Sequence, residues 1–135
     1  MNADSRVWLS YAEENLEVAR LSFGRGLLNP CLQNAQQCVE KALKAAIVDN
    51  GLQFRKTHNI RELAGILTAA GLDAGNAEDE GELLDSLYVP SKYPVVRILP
   101  DYIPDRKTSE QCVDVAARVL AAVRRQIGDQ KAGSP

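Results

Sequence analysis

The sequence has few of the residues that enzymes most often use for chemistry. It contains a single histidine, His58, and its cysteines, Cys31, Cys38 and Cys112, are three in number and lack the Cys-x-x-Cys spacing of zinc ribbons. It also contains no glycine-rich phosphate loop and no Gly-x-Ser-x-Gly motif. Because nothing supplies three clustered metal ligands, the sequence argues against a metal hydrolase and predicts neither a metal nor another cofactor.

Long apolar runs and a strong charge bias are also lacking. No segment approaches the roughly 18 apolar residues of a membrane span, and the first residues, Met-Asn-Ala-Asp-Ser-Arg, hold no apolar signal core. The formal net charge of −2 argues against a protein coated with nucleic acid. The cysteines are typical of buried thiols in a reducing compartment. We therefore expect a cytoplasmic protein that does not bind membranes.

The rest of the composition favours one all-α domain. The chain has 135 residues, of which 45% are hydrophobic and only six are proline, so it can form one core without disulfides or metals. Apolar periodicity and cap signals predict helices from Asp4 or Ser5 to 24–26, from Asn29-Pro30 to Asn50-Gly51, from Asn59 to Gly71, from about Ala77 to Val89-Pro90, and from Thr108 to about Ile127. We expect an up-and-down four-helix bundle with an additional short helix over residues 1–128, then a disordered tail at 129–135. Trp8 and Phe23 are predicted to be core anchors of the first helix.

The second predicted helix divides into an apolar face and a polar stripe. The apolar face is formed by Leu32, Ala35, Cys38, Val39, Ala42, Leu43 and Ala46, and the polar stripe by Gln33, Gln37, Glu40, Lys41 and Lys44. The stripe has two interpretations. It is either an ordinary solvated face, in which Glu40 and Lys44 form a surface ion pair, or the lining of an enclosed hollow shared with the loop around His58.

A basic loop precedes the third predicted helix. Arg55, Lys56 and His58 lie close together, and Asn59-Ile-Arg-Glu62 resembles a capping box that marks the helix start. Because the N–H groups at a helix start carry partial positive charge, this loop can form an anion cradle. The alternative is that His58 caps the helix or packs locally.

Two further segments have a biased composition. Residues 78–85 are rich in acidic side chains. The sequence does not indicate whether these side chains contact a basic partner. Residues 90–104 contain four prolines together with Tyr, Val, Ile and Leu. An apolar segment of this kind is expected to pack on the bundle, cover a cleft or meet another subunit.

Several of these motifs together resemble a known family. In order and spacing, Gln36-Gln37, the run from Glu40 to Ala45, Thr57-His58-Asn59-Ile60 and Ser91-Lys92-Tyr93-Pro94 resemble the HEPN domain (higher eukaryotes and prokaryotes nucleotide-binding). The resemblance implies a bundle like the substrate-binding domains of nucleotidyltransferases. It also implies a homodimer and, in many members, a minimal nucleotidyltransferase as partner.

The resemblance does not extend to catalysis. Many HEPN proteins are metal-independent ribonucleases in which an Arg and a His near the last long helix are separated by four to six residues. Here Arg55 lies only three residues before His58, in the middle of the chain. Where the family has Arg-Tyr-Pro, this chain has Lys92-Tyr93-Pro94, in which lysine keeps the charge but loses the bidentate fork of arginine.

The resemblance therefore favours a non-catalytic nucleotide-binding and protein-interaction module, a homodimer that binds a nucleotide or polyphosphate and pairs with a minimal nucleotidyltransferase. The residues implied for that site are Gln37, Lys41, Lys44, Lys56, His58, Lys92 and Arg97. The alternative is a toxin-like, metal-independent ribonuclease of a toxin–antitoxin pair, in which His58 acts with Arg61 or Lys56 in a non-standard site. A dimerisation scaffold without a ligand is a third possibility.

Overall fold

The computed structural model describes residues 3–53, 56–92 and 104–132, with only the backbone described at 88–92 and 128–132. Within these ranges the chain forms five helices and no strand: α1 (Ala3–Gly24), α2 (Leu28–Asp49), α3 (Ile60–Ala69), α4 (Glu78–Lys92) and α5 (Arg106–Ala132). The predicted all-α bundle with one short helix, α3, is confirmed. No helix in the described ranges combines the length and the hydropathy needed to cross a membrane.

The central element of the bundle is α2, which packs against each of the other four helices. Its predicted apolar face is fully buried, from Leu32 to Ala46. It runs antiparallel to α1, because the Ser5 hydroxyl donates to Asp49 at 3.1 Å near one end and the Asn15 amide donates to Asn34 at 3.0 Å further along. A helix in this position has neighbours on most of its circumference and little surface left for water.

The last helix completes the core with the apolar arc that its periodicity predicts. Its buried residues include Cys112, Val115, Ala116, Val119, Leu120, Val123 and Ile127. All three cysteines are buried and free of disulfides, as predicted. Burial raises the pKa of Cys38 and of Cys112 to about 12, so these thiols stay protonated at neutral pH and supply no nucleophile.

The predicted helix start is correct for the third helix and differs from the structure for the second. The Asn59 side chain caps α3 as predicted, accepting from the Glu62 N–H at 2.9 Å. The start of α2 lies at Leu28, before the predicted Asn29-Pro30, and has no side-chain cap hydrogen bond. Pro30 is still within the first turn, where its missing N–H has no helical partner to lose.

The predicted cap of the last helix is wrong. Thr108 lies inside α5, and the cap is Asp105, whose carboxylate accepts from the Thr108 N–H at 2.7 Å and from its hydroxyl at 3.0 Å. These two hydrogen bonds hold the pKa of Asp105 below its usual value. Both residues are favoured at caps, and the carboxylate is the better partner for the positive helix end.

Two helices run further than predicted. The backbone of α4 continues through Pro90 to Lys92, since one proline near a helix end removes only one hydrogen bond. The backbone of α5 continues past Ile127 to Ala132. Most of the proline-rich segment, residues 93–103, lies outside the described residues.

The two aromatic residues predicted as core anchors of α1 are only half-buried. Lys44 Nζ lies 5.2 Å from the centre of the Trp8 ring, and the Arg106 guanidinium lies 4.3 Å from that of Phe23. Each ring thus contacts a cation, and Trp8 also packs against the apolar core.

Candidate functional site

A buried carboxylate lies where α2 meets the loop that precedes α3. Glu40 is only 5% exposed. Its Oε2 accepts from Lys44 Nζ at 3.0 Å, and both of its oxygens lie 3.1 Å from His58 Nδ1. The Gln36 amide adds a long contact to Oε1, at 3.5 Å. Below, Gln36, Glu40, Lys44 and His58 are called the Glu40 cluster.

Helix geometry and a short loop assemble this cluster. Gln36, Glu40 and Lys44 are spaced by four along α2, so their side chains lie one above the other on one ridge. His58 comes from the loop, whose backbone is tied to α2 by the Gln36 amide donating to the His58 carbonyl at 3.4 Å. Thr57 steadies the next turn by accepting from the Asn59 N–H at 3.1 Å.

Only one titratable member of the cluster is readily accessible. The Glu40 and Lys44 side chains are each 7% exposed, whereas the His58 side chain is 62% exposed. Lys56, two residues earlier in the loop, is also exposed. The cluster therefore runs from the bundle interior to the surface, and a ligand in solvent would meet it through His58.

The second helix has no solvated polar face, so the first interpretation of the stripe is wrong. Glu40 and Lys44 are buried, and Gln37 and Lys41 are half-buried against α1. Lys41 Nζ donates to Asn15 at 3.1 Å and to Gln37 at 3.4 Å. The reason is tertiary, since four helices surround α2. The structure thus joins Lys44 to His58, and it directs Gln37 and Lys41 to the seam between α1 and α2.

The predicted anion cradle at the start of α3 is occupied by the chain itself. The Asp85 carboxylate on α4 accepts from the Ile60 N–H at 2.7 Å and from the Arg61 N–H at 3.2 Å. It also lies 3.8 Å from the Arg61 guanidinium. The partial positive charge of this helix end is therefore already matched by an internal carboxylate, and the cradle prediction is corrected on this point.

This arrangement gives a prediction for Asp85→Ala. We expect the free energy of unfolding to fall by about 1–2 kcal/mol, because two N–H groups at the start of α3 lose their acceptor. Urea denaturation measures the loss. Glu82→Ala, an exposed acidic residue on the same helix, is the matched control and should change stability by less than about 0.5 kcal/mol. Equal effects of the two substitutions would contradict the assigned cap.

A second residue of the acidic segment also has an internal partner. Glu80 accepts from the Ala77 N–H at 2.8 Å and from the Arg118 guanidinium at 2.6 Å. Partial burial pushes the pKa of Glu80 upward, but these two hydrogen bonds outweigh it and the net pKa lies below the usual value. Asp85 and Glu80 thus connect α4 to α3 and α5.

Two other residues of the predicted site, Lys92 and Arg97, lie at the end of α4 and outside the described residues, respectively. Lys92 is the last residue of α4, with its backbone described. Arg97 lies outside the described residues, as do Arg55, Tyr93 and Pro94.

Two members of the Glu40 cluster, and Trp8 beside Lys44, escaped the sequence prediction of the site. Gln36 and Glu40 were omitted, although their spacing of four with Lys44 places all three on one ridge of a helix. Trp8 was assigned to the core alone. The sequence does contain a weak indication that Glu40 contacts His58. Glu40 is the only acidic residue of α2 before its last turn, and the one histidine of the chain follows that helix.

A groove of about 340 Å³ lies elsewhere, between α1 and α5. Arg124 crosses it to reach Glu13 at 2.7 Å. None of the predicted site residues lines this groove, whose walls are formed by Glu13, Leu16, Glu17, Arg20, Leu21, Leu120 and Arg124.

Comparison with known proteins identifies the class of this bundle. The family model of the HEPN domain matches residues 5–126. The chain therefore belongs to the HEPN family, as the motif order predicts.

Two solved structures have the same fold over nearly the whole chain. TT1696 from Thermus thermophilus is 30% identical, with a TM-score of 0.70, over 90% of this chain and 96% of that one. ST0689, an archaeal HEPN homologue, is also 30% identical, with a TM-score of 0.71, over 91% of this chain and 97% of its own.

One curated relative adds a functional name. The Methanocaldococcus jannaschii protein named "Putative toxin MJ1304" is 38% identical over 52 residues, which are 38% of this chain. The match spans 34% of the length of that protein, about a third.

Proposed function

We propose that this HEPN domain is a non-catalytic nucleotide-binding and interaction module whose ligand enters at the His58 edge of the Glu40 cluster. The supporting observation is the buried ion pair of Glu40 and Lys44. Replacing such a pair by apolar side chains often leaves stability unchanged or increases it. Stability alone therefore does not explain why these charges are present, and a role in binding accounts for them.

The surroundings of His58 fit a ligand with phosphate groups. Lys56 is exposed, and the Arg61 side chain, one helical turn beyond His58, is 52% exposed. Lysine binds phosphate as a point charge and arginine through two N–H groups, and both suit a polyphosphate. Lys44 compensates the charge of Glu40, so the buried carboxylate repels an approaching anion less than an unpaired one would.

The binding proposal is tested through the only tryptophan of the chain, Trp8, whose ring lies beside Lys44. We expect ATP, GTP, CTP or UTP to change its fluorescence saturably. His58→Ala should weaken binding roughly three- to tenfold, the value of one hydrogen bond. An absence of saturable change with all four nucleotides would overturn the proposal.

Lys107→Ala is the matched control for this titration. Lys107 is exposed and follows Arg106, which packs on Phe23 at the far end of α1 from Trp8. Binding should be unchanged in this variant. A loss equal to that of His58→Ala would indicate a general charge effect and no site at His58.

We also propose that the module is a homodimer and that it pairs with a minimal nucleotidyltransferase. Four large apolar residues of α1 support a protein contact, because they are 42–63% exposed and lie on one stripe of the helix: Val7, Tyr11, Val18 and Leu21. Light scattering should give twice the chain mass, and Tyr11→Glu should give the monomer. A wild-type monomer at micromolar concentration would refute the dimer.

The nucleotidyltransferase partner is tested by a pull-down. A failed pull-down of the nucleotidyltransferase would refute that partner.

A toxin-like ribonuclease is the second candidate, supported by the name of the M. jannaschii relative and by the pairing of His58 with a carboxylate. In this reaction His58 takes the proton of a ribose 2′-hydroxyl, whose oxygen attacks the adjacent phosphorus. The 5′-oxygen leaves and takes a proton from water, while Lys56 or Arg61 stabilises the phosphorane charge. RNA should be cleaved without added metal and remain intact with His58→Ala. Intact RNA after long incubation with the wild-type protein would exclude this candidate.

A further inference from the structure

We infer that Glu40 is a positioning residue that accepts a hydrogen bond from Nδ1 of His58, so that Nε2 of the uncharged ring recognises a ribose hydroxyl. The inference rests on the proposed nucleotide binding and deepens it. It assigns the ribose to His58 and leaves the phosphates to the cations beside it.

In the contact between Glu40 and His58, the donor is the Nδ1–H group of His58. A carboxylate oxygen accepts hydrogen bonds and has none to donate. Both oxygens of Glu40 lie 3.1 Å from His58 Nδ1. The neutral imidazole carries one N–H, and the carboxylate places it on Nδ1.

Neighbouring side chains hold both the Glu40 carboxylate and the backbone that carries the His58 ring. Lys44 Nζ holds Oε2 of Glu40 at 3.0 Å, and the Glu40 side chain is 7% exposed. Gln36, itself 2% exposed, uses one amide nitrogen to reach both Glu40 and the His58 carbonyl, at 3.5 and 3.4 Å. The same buried side chain therefore positions the carboxylate and the backbone that carries the ring.

The position of this proton decides which ligand groups His58 can bind. In the uncharged ring with its proton on Nδ1, Nε2 carries a lone pair, and any hydrogen bond through Nε2 is one that the ring accepts. A ribose hydroxyl can donate such a bond, whereas an ionised phosphate oxygen cannot. The His58 side chain is 62% exposed, so a ligand in solvent meets the ring at the protein surface.

Binding of nucleotide analogues tests the specificity. We expect ATP to bind more tightly than 2′-deoxy-ATP or 3′-deoxy-ATP, with one of the two analogues weakened roughly three- to tenfold, the value of one hydrogen bond. His58→Ala should remove the difference. Equal affinities of all three would overturn the inference and leave the proposed function standing, while no binding by any of them would overturn both.

Nitrogen-15 NMR tests the tautomer without any ligand, because the chain has one histidine. At about pH 8.5, above the range in which histidine usually charges, we expect the proton on Nδ1. Glu40→Gln should shift the ring toward the tautomer protonated on Nε2, which free histidine prefers in water. The same substitution combined with Lys44→Met leaves no unpaired buried charge and serves if the single variant unfolds. A wild-type ring protonated on Nε2 would refute the positioning role.

Discussion

Glu40→Leu is expected to lower the free energy of unfolding by roughly 3–5 kcal/mol, because it removes the carboxylate that lies 3.0 Å from the ammonium of a buried lysine. The Lys44 side chain is 7% exposed, so water cannot readily replace the lost partner. His58 loses its Nδ1 acceptor in the same substitution. Urea denaturation monitored by circular dichroism gives the change.

The double variant Glu40→Leu with Lys44→Met separates folding from function. With both charges removed, apolar side chains of similar volume fill the space, and most of the lost stability should return. Nucleotide binding at His58 should not return, because the acceptor that orients the ring is gone. A stable double variant that binds nucleotides as tightly as the wild-type protein would contradict the role assigned to the cluster.

The exposed pair formed by Glu13 and Arg124 is the matched control. Their side chains are 45% and 50% exposed, at an N to O distance of 2.7 Å. Glu13→Leu should change stability by less than about 1 kcal/mol, as is usual for surface ion pairs. If Glu40→Leu cost no more than Glu13→Leu, the burial of the Glu40 cluster would have no energetic consequence.

Gly75→Ala is expected to lower the free energy of unfolding by roughly 2–5 kcal/mol, the sum of left-handed backbone strain and overpacking. The φ angle of Gly75 is +86°, and a Cβ there would lie 2.8 Å from Ala122 Cβ and 3.0 Å from Val119 Cα. Both contacts belong to the buried side of α5, where the backbone cannot retreat without disturbing the core. Thermal or urea unfolding measures the loss.

Gly71→Ala isolates the strain term. Gly71 has a similar φ of +77°, but a Cβ at this position meets nothing within 4 Å. We expect a cost of about 1–2 kcal/mol from the left-handed conformation alone. Losses of equal size at the two glycines would show that a Cβ at residue 75 causes no overpacking against α5.

The core could be predicted from sequence because helical periodicity marks it directly. The apolar arcs of the second and last helices were assigned from spacing alone, and all of the residues in them are buried. The environment of the polar stripe could not be assigned in this way. Glu40 and Lys44 have the same spacing of four whether water or neighbouring helices surround them, and only the packing around α2 decides which.

The start of the third helix shows the same division between local and tertiary information. Asn59 lies three residues from the N–H that it accepts from, so the sequence contains the whole motif. Asp85 lies 25 residues from Ile60, and nothing near the third helix indicates that a carboxylate from the fourth fills its N-terminus. His58 follows this rule as well, since its partner Glu40 is 18 residues away.

The most direct measurement of the central claim is an NMR titration of the His58 ring, the only histidine signal of the chain. If the Glu40 cluster opens to a ligand through this ring, increasing ATP should move the His58 resonances along a saturable curve, with the affinity found from Trp8 fluorescence. His58 signals that stay in place while ATP saturates the protein would put the ligand elsewhere and contradict the account.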